Sequence, residues 1–335
     1  WISAKIDTLS IRKNKISITE LTFENNIIAI ERDSANHFNF SFLIDSLKTE
    51  KDTSADWEIN CNKFGFLQSS ITFTDSYSKN KKNIFLSNLN VNISDFESKH
   101  DTIQLKLNDL NFNDGKKLNL EHFSANLLAT PNQIEIKSIN LKSKHSEISN
   151  SELILQLKES KQQPVNKPKI DFNLSKSKLS LLELAELVPT LRGMDQNINL
   201  SGRIYGDVDD LKGKNLLLET GKSTEAVLDF YVNGISNIET MYLFFDLKRS
   251  KTTFSDISKI KLPQKSNLKT LEFPDSFYEA GVLSFSGNFS GFISDFVTFG
   301  TLESQMGILK TDISVVPKDK GTIHYQGRVS TTYFN

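Results

Sequence analysis

The stretch "NINLSGRIYGDVDDLKGKNLLLETG" at 197–221 is written a second time, loosely, as "LSFSGNFSGFISDFVTFGTLESQMG" at 283–307. Gly202 maps onto Gly287, Gly206 onto Gly291, Asp210 onto Asp295 and Leu217 onto Leu302, each pair 85 residues apart. A glycine pattern used twice is either a duplicated ligand loop or a structural joint. Both copies read G-x-x-x-G, which packs membrane helices only inside an apolar helix. With Arg203 and Asn288 inside them they are strand or bulge glycines. Asp209 and Asp210 invite a calcium or acid–base reading, but they lack an oxygen-rich partner loop. A solvated turn fits them better.

Outward from these joints, almost every segment alternates apolar and polar residues with period two, so one side of the backbone is apolar and the other faces water. The apolar positions are Phe38, Phe40 and Phe42; Ile71 and Phe73; Leu89, Val91 and Ile93; Ile103, Leu105 and Leu107; Ile134 and Ile136. They continue as Leu153, Leu155 and Leu157; Ile170, Phe172 and Leu174; Leu216 and Leu218; Phe230 and Val232; Phe285; Ile313 and Val315. Alternation slips at "MYLFFDL" (241–247), where Leu243, Phe245 and Leu247 compete with Tyr242 and Phe244 for the buried side. Turn clusters such as "FNDGKK" and "TPNQ" recur about every eight to twelve residues, the spacing of antiparallel strands. The expected fold is all-β, an elongated antiparallel sheet with one apolar face. Twenty or more strands at ~4.8 Å would extend a single ladder to roughly 100 Å, which points to a repeating groove in place of a sandwich.

Hydrophobic residues make up 38% of the 335 residues, below the roughly 45–50% of an average domain, so a thick two-sided core is not expected. Lys+Arg at 40 nearly balances Asp+Glu at 41, and the signs are interspersed. Nothing calls for nucleic acid or an anionic membrane surface. The single Cys61 excludes an intrachain disulfide framework and reads as a small apolar filler. No run reaches the ~18 apolar residues of a transmembrane helix, and no signal peptide is visible. The chain opens at Trp1, so it reads as a piece of something longer, with any anchor or export signal outside it.

Two segments interrupt the strands. "KLSLLELAELVP" places Leu181, Leu184, Ala185 and Val188 on one face of a short helix ended by Pro189, and "FSDISKIKLP" before Pro263 looks like a weaker copy. The polar, aperiodic 158–169 is the linker or long-loop candidate. The resulting division is a strand region at 1–157, the linker, a helix-plus-strand repeat at 170–262 and a second at 263–335.

Convergent chemistry is missing. His37, His100, His122, His145 and His324 are scattered among polar neighbours, with no pair at ligand spacing. "GNFSG" lacks the G-x-S-x-G of a nucleophile elbow. No catalytic residue, metal or cofactor is expected, and the chain does not read as an enzyme.

Alternating strands, a Leu-rich helix ending in Pro, and then G-x-x-x-G-x-x-x-D-[LF] leading to L-x-T/S and another glycine together resemble the TamB family in its Bacteroidota-like form, within the wider AsmA-like group. The residues that carry the resemblance are Gly202, Gly206, Asp210, Leu211, Leu217 and Gly221, and again Pro274, Gly287, Gly291, Asp295, Phe296, Leu302 and Gly307. The segment 139–155 looks like the same family's hairpin, and the resemblance is strongest from about 118 to 316. It implies a curled β-taco groove in a segment of a periplasmic protein, anchored in the inner membrane outside this chain. It also implies an Omp85-type, TamA-like outer-membrane barrel as partner and phospholipid movement between the membranes, with an older role in outer-membrane protein assembly.

The residues support a groove on their own. An alternating sheet with Phe and Leu on one face must cover that face or leave it exposed, and one or two short helices are too few to cover it. A lipid chain entering it gains about 0.8 kcal/mol per buried CH₂, approaching ~10 kcal/mol for a dozen methylenes before opposing losses. The alternatives are an assembly module that takes client strands at a sheet edge, or a surface adhesin closed into sandwiches.

Overall fold

The computed structural model describes residues 1–41, 57–77, 82–113, 119–157, 168–187, 191–207, 209–235, 240–263, 270–292, 295–319 and 322–333. The protein is all-β: eighteen strands and a few short helices among the described residues. The chain divides into two compact units, Trp1–Lys144 and His145–Asn335.

The first unit holds β1 (Ile2–Ser10), β2 (Lys15–Glu24), β3 (Ile27–Arg32), β4 (Glu58–Asp75), β5 (Lys82–Lys99), β6 (Thr102–Asn113), β7 (Asn119–Thr130) and β8 (Gln133–Ser143). From β4 to β8 each strand pairs antiparallel with the next. At the other end β1 pairs antiparallel with β2, but β2 and β3 both run parallel to β4, β2 along Glu58–Leu67 and β3 along Ser70–Asp75. The antiparallel expectation is corrected there. A parallel pair needs a long return connection, and 33–57 supplies one.

The stretch around Phe38 and Phe40 is a second correction. Phe38 makes one isolated bridge to Arg32, and Asn39 and Phe40 lie in a turn, not a strand. Asp33 captures the backbone N–H groups of Ala35 and His37, each at 2.8 Å, and Asn36 takes φ 69°. This local turn outcompetes strand pairing. The two rings stack at 5.2 Å, and Phe42 lies outside the described residues.

The second unit is a continuous antiparallel meander of ten strands: β9 (Glu147–Gln156), β10 (Lys169–Ser180), β11 (Asn197–Asp207), β12 (Asp210–Thr220), β13 (Thr224–Asn233), β14 (Tyr242–Thr252), β15 (Leu283–Phe292), β16 (Phe296–Ser304), β17 (Gly307–Asp319) and β18 (Thr322–Thr332). Most of the proposed linker, 158–167, lies outside the described residues, and Lys169 already opens β10.

Helices follow β10 and β14, at Leu181–Leu187 and Phe254–Ile257. Pro189 is outside the described residues, and the second helix ends at Ile257, well before Pro263. Each helix carries an acid at its third position that reaches a turn of the neighbouring hairpin. Glu183 accepts from the His145 N–H at 3.1 Å and from the Ser146 hydroxyl. Asp256 accepts from the N–H groups of Lys222 and Ser223, at 3.1 and 2.7 Å, and from the Thr224 hydroxyl at 3.2 Å. Burial pushes the Asp256 carboxyl up, but these donors outweigh it and hold it below the ordinary range. The repeat is therefore four strands with a helix in the middle, β9–β12 and then β13–β16.

Candidate functional site

A strand that slips by one residue turns its apolar side chains to the wrong face. Bulges in this sheet prevent that. In β10, β12 and β14 one extra residue falls between Leu174 and Ser177, Gly213 and Leu216, and Leu247 and Ser250. In the first unit the same step separates Phe66 from Ser69 and Ile136 from Ile139. The residue before the step ends is left-handed at Gln68, Asn88, Asp95, Ser138 and Asn215. Asn and Asp tolerate that conformation better than most residues.

Because of these insertions the register keeps apolar residues on one face throughout each unit. In the first unit Ile71 and Phe73 pair with Leu86 and Ile84, and Ser69 with Leu89. Val91 and Ile93 pair with Leu110 and Leu107, Leu105 with Leu127, and Leu127 and Ala129 with Ile136 and Ile134. In the second unit Leu155 and Leu153 pair with Ile170 and Phe172, and Leu174 lies opposite Gly202. The lane continues through Leu216–Leu228, Leu218–Ala226, Gly213–Phe230, Phe230–Phe245 and Val232–Leu243. Beyond these come Phe285–Leu302, Thr298–Ile313 and Phe296–Val315. Ring contacts Phe230–Phe245, Phe245–Phe289 and Phe289–Phe296, at 6.4, 6.2 and 4.7 Å, run across four strands.

Of the lane residues expected from the sequence, Leu89, Leu174, Leu216 and Val315 are buried, Ile103 is exposed, and the other described ones on strands are half-buried. Residues facing a second packed layer would be buried. A half-buried row is covered by its own neighbours along the sheet, leaving one side accessible. The slip at 241–247 is resolved by register: Leu243, Phe245 and Leu247 face the lane, and Tyr242 and Phe244 face away.

Linear counting matches Leu217 with Leu302, and the register corrects this. Leu200–Leu218 is the counterpart of Phe285–Leu302, because β12 carries a bulge that β16 lacks, and Leu217 faces outward opposite Ser201. The turn ahead of β12 is organised by Asp207, which accepts from the N–H groups of Asp209 and Asp210 at 2.9 and 3.0 Å. Cys61 is buried, and burial pushes its thiol up.

Buried serines escaped the sequence reading. Ser69, Ser151 and Ser177 are fully buried; Ser69 and Ser177 follow bulges and Ser151 follows left-handed Asn150. Each donates to the carbonyl two residues back, at 3.1, 3.2 and 2.8 Å. Ser151 Oγ also accepts from the Ser175 N–H at 3.1 Å, so it satisfies backbone on two strands. Ser151→Ala leaves both groups unpartnered, and we expect a loss of about 1–3 kcal/mol in urea denaturation. Ser→Ala at half-exposed Ser314, away from any bulge, is expected to cost less than ~0.5 kcal/mol.

The outward face is ionic. Asp229, nearly buried, accepts from Lys214 Nζ at 2.7 Å and from the Asn215 N–H at 2.7 Å, with Lys248 Nζ at 3.0 Å. Burial pushes its carboxyl up, but these three donors outweigh it and bring it from 3.8 to about 2. A carboxylate depressed on folding contributes stability above its unfolded value, lost as pH falls from about 4 to about 2, here about 2 kcal/mol. Asp229→Asn is expected to remove that part of the acid transition in a pH series of denaturation midpoints.

His122 has partners the sequence did not reveal: Nδ1 lies 2.6 Å from Asp109 Oδ1 and Nε2 3.1 Å from Ser124 Oγ. The acid comes from the neighbouring strand, so sequence spacing does not show it. The group ends a polar chain across the outward face through Asn111 and Asn90 to the Gln68 N–H, at 2.7, 2.8 and 2.9 Å. Among the described residues no group of three or more His, Cys, Asp or Glu is placed to hold a metal ion, and no helix is long and apolar enough to cross a membrane.

Fold and lane together define an all-β repeat protein with an apolar face kept in phase by bulges. No protein-family model, no curated protein and no solved structure matches the chain.

Proposed function

We propose that this chain is a segment of a bridge-like envelope protein whose apolar lane conducts phospholipid acyl chains between inner and outer membrane. The observation that supports it is the half-buried lane itself, held on one face of each unit by the bulges. Burial of alkyl surface is non-directional, so a lane gains free energy from a lipid tail at every position and holds it at none. That favours passage over storage. The TamB-like resemblance points the same way, and with it come a periplasmic setting, an inner-membrane anchor outside this chain and an Omp85-type barrel as partner. The second reading, an assembly module for outer-membrane proteins, shares the lane but places a polypeptide strand in it.

The purified protein tests this through what it carries. Organic extraction and mass spectrometry are expected to find co-purifying phospholipid, and Phe230→Asp, in the lane, is expected to lose most of it. Val227→Asp, whose residue pairs with Arg249 on the outward side, is expected to keep it. Equal lipid in both variants, or none in the wild type, would sink the proposal.

A further inference from the structure

Two glycines of the second unit belong to no turn and need no special backbone. Gly213 on β12 and Gly300 on β16 lie inside strands, and neither takes a left-handed φ, so the backbone there admits any residue. A glycine inside a strand weakens it and marks a place where another group comes close. The close group here is a phenylalanine of the lane. A Cβ at Gly213 would sit 2.3 and 2.4 Å from Phe230 Cε1 and Cδ1, and 2.6 Å from Leu216 Cδ1. One at Gly300 would sit 2.5 and 2.7 Å from Phe285 Cζ and Cε2, and 2.7 Å from the Ser286 carbonyl oxygen. Phe230 is the direct partner of Gly213, and Phe285 is diagonal to Gly300, two places along β16 from its own partner Leu302. Only a ring laid across the neighbouring strand comes so near that strand's backbone.

Side chains of a strand ordinarily stand about perpendicular to the sheet. These two rings lie down and floor the lane, and Gly213 is buried beneath one of them. Resting on the conduit reading, we infer that Gly213 and Gly300 set the free depth of the lane, each by giving a phenylalanine room to lie flat beneath a passing acyl chain. Both glycines are positioning residues that act through the ring. A methyl at Gly213 takes the room away. Phe245 on β14 flanks Phe230 on one side and Leu216 on β12 on the other, so the direction left to the displaced ring is away from the sheet, into the path.

Phospholipid extracted from purified variants tests this. The nearest obstacles at Gly213 are all side-chain ends, so Gly213→Ala is expected to keep the strand pairing, as circular dichroism checks. Its co-purifying phospholipid is expected to fall at least about fivefold. Adding Phe230→Ala is expected to bring lipid back to within about twofold of wild type, and the urea midpoint to that of Phe230→Ala alone. A merely structural glycine would restore the midpoint without having moved the lipid. Wild-type lipid in folded Gly213→Ala, or lipid still missing from the double variant, would overturn the inference while leaving the conduit reading in place. Wild-type protein without lipid would sink that reading and this inference together. Should Gly213→Ala fail to fold, Phe230→Ala alone decides: a flat ring predicts unchanged lipid, and a rise of about twofold or more would overturn the inference.

Discussion

Cells carrying Leu218→Arg are expected to accumulate the protein at wild-type level and still lose outer-membrane integrity. Leu218 is half-buried in the lane, between Leu200 and Ala226 on the flanking strands. An arginine there can lay its stem along the apolar surface and lift its guanidinium into water, so folding is only mildly affected. An acyl chain passing the same point must strip that charge of water, which costs several kcal/mol with nothing to repay it. A conduit is a series path, so under the proposed function one such barrier slows the whole flux, and about 3 kcal/mol slows it more than a hundredfold. Detergent and antibiotic sensitivity, read beside an immunoblot, checks the result. Intact barrier function at normal protein level would count against a conduit.

Gly206→Ala and Gly291→Ala are each expected to destabilise the protein strongly. A Cβ at Gly206 would sit 1.9 Å from the Asp210 carbonyl oxygen, and one at Gly291 would sit 2.4 Å from that of Asp295. In both cases φ is left-handed, at 131° and 138°. The obstacle is backbone, fixed by the Gly206–Leu211 and Gly291–Phe296 pairs, so no side chain can move aside. Strain and displaced pairing together cost about 3–4 kcal/mol, lowering the urea midpoint by about 1 M or more. Gly234 supplies the contrast: it is also left-handed, but its nearest obstacle is 3.5 Å away. There Gly→Asn is expected to cost less than ~1 kcal/mol. A Gly206→Ala midpoint equal to wild type would show that the joint is not a constrained close approach.

The apolar lane was legible because period two is a direct consequence of the pleat, and residues such as Phe172, Phe230 and Val315 share one face by alternation alone. The bulges were written in the sequence too, as apolar residues three apart around a left-handed former: Leu86-Ser-Asn-Leu89, Ile93-Ser-Asp-Phe96 and Ile136-Lys-Ser-Ile139. Period-two reading passes over them because each adds one residue to one strand. Counting that ignores them matches Leu217 to Leu302 in place of Leu218. The parallel pairing of β2 and β3 with β4, the turn at Phe38 and the Asp109–His122–Ser124 group depend on which strands become neighbours. No local pattern in one strand encodes its neighbour's identity.

The two glycine stretches are one joint used twice, and what they join is a lane. The most direct test of that account places a photo-crosslinking residue in the full-length protein at Phe172 or Phe230 on the lane, or at Val227 on the outward face, and identifies what is captured in cells. The account predicts phospholipid adducts at the two lane positions and none at Val227. Capture of polypeptide alone at Phe172 and Phe230 would contradict it and favour the assembly module.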